Sequence, residues 1–255
     1  PLLAAQHNVV GRWQMTPSQV RAARRSVQLQ EWQQPSNHVY VMGRGPLTTE
    51  QSMWAALLHG GAEARLAGRA ALVLHGWKHP VTRPIDVVMA RHLTRSQTPD
   101  WIRLHRPIEL AGPSQEPARV DVHTALIQAA GWAGSDRQAM FIVLSCLQQR
   151  LVSADRLLQR LSPRCRRRTL IADLASEFLH GITSVNERDF AALCAGWGLP
   201  EPMRQSRVYD ASGVLRAIDA EFRLSDGRVR RVEIEGMHHF EPTNFLADVD
   251  RHNAL

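Results

Sequence analysis

The stretch Ile218-Asp219-Ala220-Glu221-Phe222-Arg223-Leu224-Ser225-Asp226-Gly227-Arg228-Val229-Arg230-Arg231-Val232-Glu233-Ile234-Glu235-Gly236-Met237-His238-His239 decides how the C-terminal part of this chain is read. Apolar and polar residues alternate with period two on both sides of Ser225-Asp226-Gly227, the pattern of two strands joined in a hairpin. Loop length then sets which side chains share a face. A two-residue Asp-Gly turn puts Ile218 opposite Glu235 and Ala220 opposite Glu233, which mixes apolar with ionised groups. A three-residue loop with Gly227 in the left-handed conformation sorts them instead. Asp219, Glu221, Glu233 and Glu235 then share one face, and Ile218, Ala220, Phe222, Val232 and Ile234 form the other. The three-residue register is therefore expected.

Carboxylates at neighbouring positions on two strands repel one another, so something must offset the charge. One answer is a divalent cation such as Mg²⁺ or Mn²⁺, for which hard oxygen ligands are suited and which activates water beside a phosphate. Another is a solvated acidic face with Arg228, Arg230 and Arg231 as counter-ions. A third is a purely structural acidic hairpin.

Asp219, then Glu233-x-Glu235-Gly236, then the His238-His239 pair and Asp248-x-x-Arg251-x-Asn253-Ala254-Leu255, resemble the PD-(D/E)XK nuclease fold in its very-short-patch-repair-endonuclease-like branch. Ser184-Val185-Asn186-Glu187-Arg188 and Gly198-Leu199-Pro200-Glu201-Pro202 fit that branch's first helix and the start of its sheet, so the likeness spans about 184–255. The resemblance implies that Asp219 and Glu233 hold a metal and that Glu187 is a helix carboxylate near the site. Glu235 stands where the wider superfamily carries lysine; the very-short-patch branch also lacks that lysine and uses histidines, which implies His238 or His239. Read from the residues alone, Glu187 is equally the capping-box partner of Ser184, and Asp248 with Arg251 a helical ion pair. Adjacent histidines in a strand point to opposite faces, so at most one of the two meets the carboxylates.

Arginine supplies 30 of the 31 basic residues, and the net charge is +7. Residues 1–180 hold 22 basic and 12 acidic side chains, whereas 181–255 hold 9 and 12, so the basic excess lies outside the acidic hairpin. A pI near 10.5 favours an anionic partner such as DNA. Leu2–His7, Gly11–Gln14 and Thr16–Arg25 read as short helices, the last with a Thr16 cap and Pro17 in its first turn. Trp32 and Asn37–Gly43 read as a small hairpin. Three helices and a β wing describe a winged helix-turn-helix that turns Gln19, Arg21, Arg24 and Arg25 toward DNA, with Trp32 and Tyr40 supporting the wing. The alternative is an ordinary helical cap with solvated arginines.

Val39-Tyr40-Val41-Met42-Gly43-Arg44-Gly45-Pro46-Leu47-Thr48-Thr49-Glu50-Gln51, with Trp54–Gly60 and Leu72–Gly76, also resembles the N-terminal region of AbiEi-type antitoxins, the DNA-binding halves of type IV toxin-antitoxin pairs. That likeness covers about 1–110 and implies a repressor with a cognate toxin as partner.

In the middle of the chain, Thr48 with Gln51 and Ser135 with Gln138 form capping boxes for helices ending at Gly60-Gly61 and near Arg150. Pro84–Arg91 and Trp101–Arg106 read as strands, and 153–161 and 164–180 as helices separated by Pro163. The run Arg164-Cys165-Arg166-Arg167-Arg168 would open the second of these, where positive charge opposes the helix dipole. Cys146, Cys165 and Cys194 are widely spaced and are expected as buried thiols rather than disulfides or zinc ligands. No HExxH pattern, P-loop or GxGxxG is present, and no apolar run approaches the roughly 18 residues of a membrane span. A soluble cytoplasmic protein is expected. The chain starts at Pro1 and stops at Leu255 inside an amphipathic pattern, as expected of a piece of a longer protein whose last sheet is truncated. The expected class is α/β, α+β overall: a winged helix-turn-helix over 1–45, a mixed α/β middle over 46–180, and a nuclease-like sheet flanked by helices over 181–255.

Overall fold

The computed structural model describes residues 2–95, 97–107, 116–179, 185–196, 198–209, 213–224 and 227–232. Within them the chain mixes helices with three-stranded sheets. It divides into two compact units, Pro1–Gly134 with Arg160–Arg168, and Ser135–Gln159 with Thr169–Leu255.

The first unit opens with α1 (Leu2–Ala5), β1 (Val9–Gly11), a 3-10 turn (Arg12–Gln14), α2 (Pro17–Gln28), β2 (Trp32–Ser36) and β3 (Val39–Met42). Helix α2 starts as its sequence predicts. The Thr16 hydroxyl accepts from Gln19 N–H, the Gln19 side chain accepts from Thr16 N–H, and Pro17 fills the first turn. Strand β1 was not expected in the sequence reading, because three residues are too few to show a period; pairing with Val39–Val41 creates it. The sheet runs β1-β3-β2, all antiparallel, and its register shifts between Gln33 and Ser36, where Pro35 has no N–H to give. Successive residues of β3 face opposite sides. Tyr40 packs with Val10 and with Ala23 of α2, while Val39 and Val41 join a second cluster.

That second cluster crosses the boundary expected at 45/46. It continues through Met53–Leu58 of α3 (Thr49–Gly60) to Leu66, Ile85 and Val87, so the N-terminal sheet and the segment after it share one core. The Thr48–Gln51 capping box that starts α3 forms as expected. Then come β4 (Arg65–Leu66), α4 (Gly68–Leu74), β5 (Ile85–Val88), β6 (Ile102–His105) and α5 (Val122–Gly131). Strand β5 lies centrally, antiparallel to β4 and parallel to β6, and all four of its residues are buried, as a covered parallel pair requires. Both expected strands exist, each shorter than its sequence span.

The second unit holds α6 (Asp136–Gln148), most of α7 (Ala154–Arg160) and α8 (Arg168–Leu179), then α9 (Val185–Gly196), β7 (Met203–Tyr209), β8 (Leu215–Arg223) and β9 (Val229–Val232). Ser135 accepts from Gln138 N–H to start α6, and Arg137 bridges to Asp189 of α9 at 2.7 Å. The expected helix over 164–180 needs correction. Only Arg168 of the basic run is helical. Arg167 sits in a turn at φ +55° and its guanidinium donates to the carbonyls of Ala130 and Gly131 at 3.1 and 3.0 Å. The chain thereby moves its positive charge from a helix N-terminus, where the dipole opposes it, to the C-terminal carbonyls of α5, where the dipole favours it. Cys146 and Cys194 are buried, and burial pushes the Cys146 thiol up to about 12; Cys165 is half-buried, contrary to expectation.

Sheet β7-β8-β9 is an antiparallel meander. Ala220 pairs with Val232 and Glu221 with Arg231, the register of the three-residue loop. Leu224 N–H bonds Arg228 carbonyl at 2.8 Å, Gly227 N–H bonds Leu224 carbonyl at 3.0 Å, and Gly227 takes φ +83°.

Candidate functional site

In the C-terminal unit the strand pleat sets the geometry. Ile218 and Ala220 are 1% exposed on the apolar face of β8. Asp219, half-buried, and Glu221, buried, occupy alternate positions on the opposite face. Glu221 is only 6% exposed, and a carboxylate so deep requires partners. Arg231, directly across on β9, donates from Nε to Glu221 Oε2 at 3.4 Å. Arg223, two residues along the same strand, brings Nε to 3.8 Å from Oε1. Of the three arginines expected as counter-ions, Arg231 takes that role, whereas Arg230 pairs with Phe222. At Glu221, the guanidinium groups of Arg231 and Arg223 offset the negative charge.

Glu187 lies in α9. Glu233, Glu235, His238, His239, Ser184, Asp248 and Arg251 lie outside the described residues. Among the described residues no group of three His, Cys, Asp or Glu side chains is placed to hold a metal ion.

At the N-terminal end, Val20 and Ala23 of α2 are buried while Gln19, Arg21, Arg24 and Arg25 are exposed. A cationic helix face results. None of the three arginines pairs with a carboxylate among the described residues. The Gln19 side-chain oxygen is occupied by the Thr16 cap. Trp32 is half-buried and packs against the cluster that contains Tyr40, which is wholly buried, so both support the hairpin from inside.

The sequence reading missed a buried polar cluster in the first unit. Asp86 on β5 is 9% exposed, and its Oδ1 lies 2.7 Å from His105 Nε2 and 3.8 Å from Arg103. The His105 ring stacks on Trp132 at 3.5 Å with planes 5° apart. Parallel pairing of β5 with β6 puts these residues side by side, and no local spacing announces it. The cluster neutralises a buried carboxylate. No family model matches the chain, and no curated protein matches it either. Among the described residues no helix is long and apolar enough to cross a membrane.

Proposed function

We propose that the protein binds DNA through its N-terminal segment, a winged helix in which α2 enters the major groove and the β2–β3 hairpin is the wing. The observation that carries this reading is the face of α2. Arg21, Arg24 and Arg25 stand exposed without acidic partners among the described residues, while Val20 is buried and Ala23 holds the helix against the core of Val10 and Tyr40. The order helix, strand, short turn, helix, hairpin, with β3 between β1 and β2, supports it. Arginines in that position clamp phosphates bidentately, so affinity depends on salt. Binding of a labelled duplex is measured by anisotropy over a salt series. Arg21→Gln, Arg24→Gln and Arg25→Gln are each expected to weaken binding and to lower the log–log salt slope by about 1. Salt-independent binding, or affinity indifferent to all three changes, would sink the proposal.

A non-catalytic repressor or antitoxin, acting with a cognate toxin, is the form of this activity most in keeping with Glu221 being neutralised by Arg231 and Arg223. A second reading is metal-dependent hydrolysis of DNA phosphodiesters by a PD-(D/E)XK-like C-terminal unit. It draws support from the hairpin register, which sets Asp219 on the acidic face of β8. In that reading Asp219 and Glu233 would hold Mg²⁺ or Mn²⁺, and the ion supplies charge stabilisation and an acidified water. The residues' own task there is to orient the phosphate and move a proton, the latter falling to His238 or His239.

A further inference from the structure

The first unit also contains a cavity of about 320 Å³ whose walls are Arg12, Trp13, His38 and Arg95. They come from the 3-10 turn, the turn between β2 and β3, and the segment between β5 and β6. The walls are held in place by backbone. Arg12 N–H donates to His38 carbonyl at 2.7 Å, and Trp13 Nε1 donates to Leu58 carbonyl at 3.3 Å. The Arg95 guanidinium donates to the carbonyls of His59, Gly60 and Thr94. Two glycines leave room for these side chains. A Cβ on Gly11 would come within 2.9 Å of Trp13 Nε1, and one on Gly61, at φ +104°, would overlap Arg95 Nη2.

The charge in this cavity is unbalanced. No carboxylate among the described residues pairs with Arg12 or Arg95. Burial, then Arg95, then Arg12 holds the His38 imidazole below its usual pKa, so both guanidinium fields converge on one point. Against it lies His59, with ring centres 5.4 Å apart, wholly buried and with Nδ1 lacking a hydrogen-bond partner among the described residues. The Trp13 indole remains 50% exposed although its N–H is tied down. The held guanidinium of Arg95 and the exposed one of Arg12 call for an anion, and an open indole face beside them calls for a flat ring. The volume is at the small end of ligand pockets, which run from about 300 to 1,000 Å³.

We infer that this cavity binds a nucleoside monophosphate, its phosphate held by Arg12 and Arg95 and its base laid on the Trp13 ring. The site's residues differ from those of the carboxylate hairpin and of the arginine face of α2, with His38 drawn from the turn of the proposed wing, and it makes the protein a candidate for control by a free nucleotide. Calorimetry on the whole chain tests it with adenosine 5′-monophosphate, adenosine, inorganic phosphate and a short single-stranded oligonucleotide as probes. The monophosphate should bind at least about tenfold more tightly than adenosine or phosphate alone, since stacking and phosphate contact both contribute. Arg12→Gln should weaken it at least about tenfold while leaving the thermal melt in place, because Arg12 is exposed and makes no ion pair among the described residues. His38, followed by NMR titration, should rise in pKa when the monophosphate binds to the wild type. Equal binding of monophosphate and phosphate, unchanged binding by Arg12→Gln, binding of the oligonucleotide alone, or no binding at millimolar concentration would each overturn the assignment.

Discussion

His59, in the last turn of α3, is a buried imidazole with Nε2 3.4 Å from Thr98 Oγ1 and Nδ1 unpaired among the described residues. Burial, reinforced by His38 and Arg95, pushes its pKa down to about 4. The unfolded chain takes up a proton near pH 6.5 while the folded one resists until about 4, so the unfolded state binds more protons in that window. Stability therefore falls as pH drops from 6.5 toward 4, by about 3 kcal/mol for this group. Urea denaturation of wild type and His59→Gln across pH 7 to 4 checks this, and the variant should lack that part of the slope; coincident curves would mean His59 is not held neutral. In sequence, His59 reads as a basic residue in the last turn of a helix, where charge is favoured. In the fold, burial makes it neutral, and Arg95 takes the carbonyls of His59 and Gly60 for itself. Glu221 shows the converse. Its partner Arg231 was among the counter-ions expected from sequence, since both follow from one hairpin register.

Elements whose ends are set by local hydrogen bonds were legible. Thr16 with Gln19 and Thr48 with Gln51 each satisfy two N–H groups within four residues of chain, so the starts of α2 and α3 could be placed without tertiary information. Thr16→Ala is expected to cost about 1 kcal/mol in a thermal or urea melt, and to weaken DNA binding in step by loosening the N-terminus of the arginine-bearing helix. Melting unchanged within error would show that the cap contributes nothing. Strand β1 was invisible because its existence depends on β3. The Arg164–Arg168 run was misplaced because a helical pattern does not reveal that a distant helix end, at Ala130 and Gly131, competes for its charge. The β8–β9 loop was legible: only one loop length separates apolar from ionised faces, and Gly227 supplies the positive φ.

At the scale of the whole chain, the basic excess lies in 1–180 and the acidic balance in 181–255, so the DNA binding proposed above would reside in the former. If the C-terminal unit hydrolyses DNA, supercoiled plasmid with Mg²⁺ or Mn²⁺ is nicked by the wild type, and Asp219→Asn and Glu233→Gln abolish cleavage while binding persists. A folded, DNA-binding wild type that leaves the plasmid intact assigns the protein to the repressor or antitoxin class instead. Val39 and Val41 share a core with Met53–Leu58, and Arg160–Arg168 belongs to the first compact unit. By itself the sequence determined the capped helix starts, the hairpin register, the mixed α and β class and the distribution of charge. Those features rest on hydrogen bonds and side-chain periods that operate within a few neighbouring residues. Tertiary structure alone decided the shared core, the Asp86–His105–Trp132 cluster and the cavity joining Arg12 to Arg95. Each of these brings together residues far apart in the chain, and their meeting depends on how strands pair and loops close rather than on any local preference.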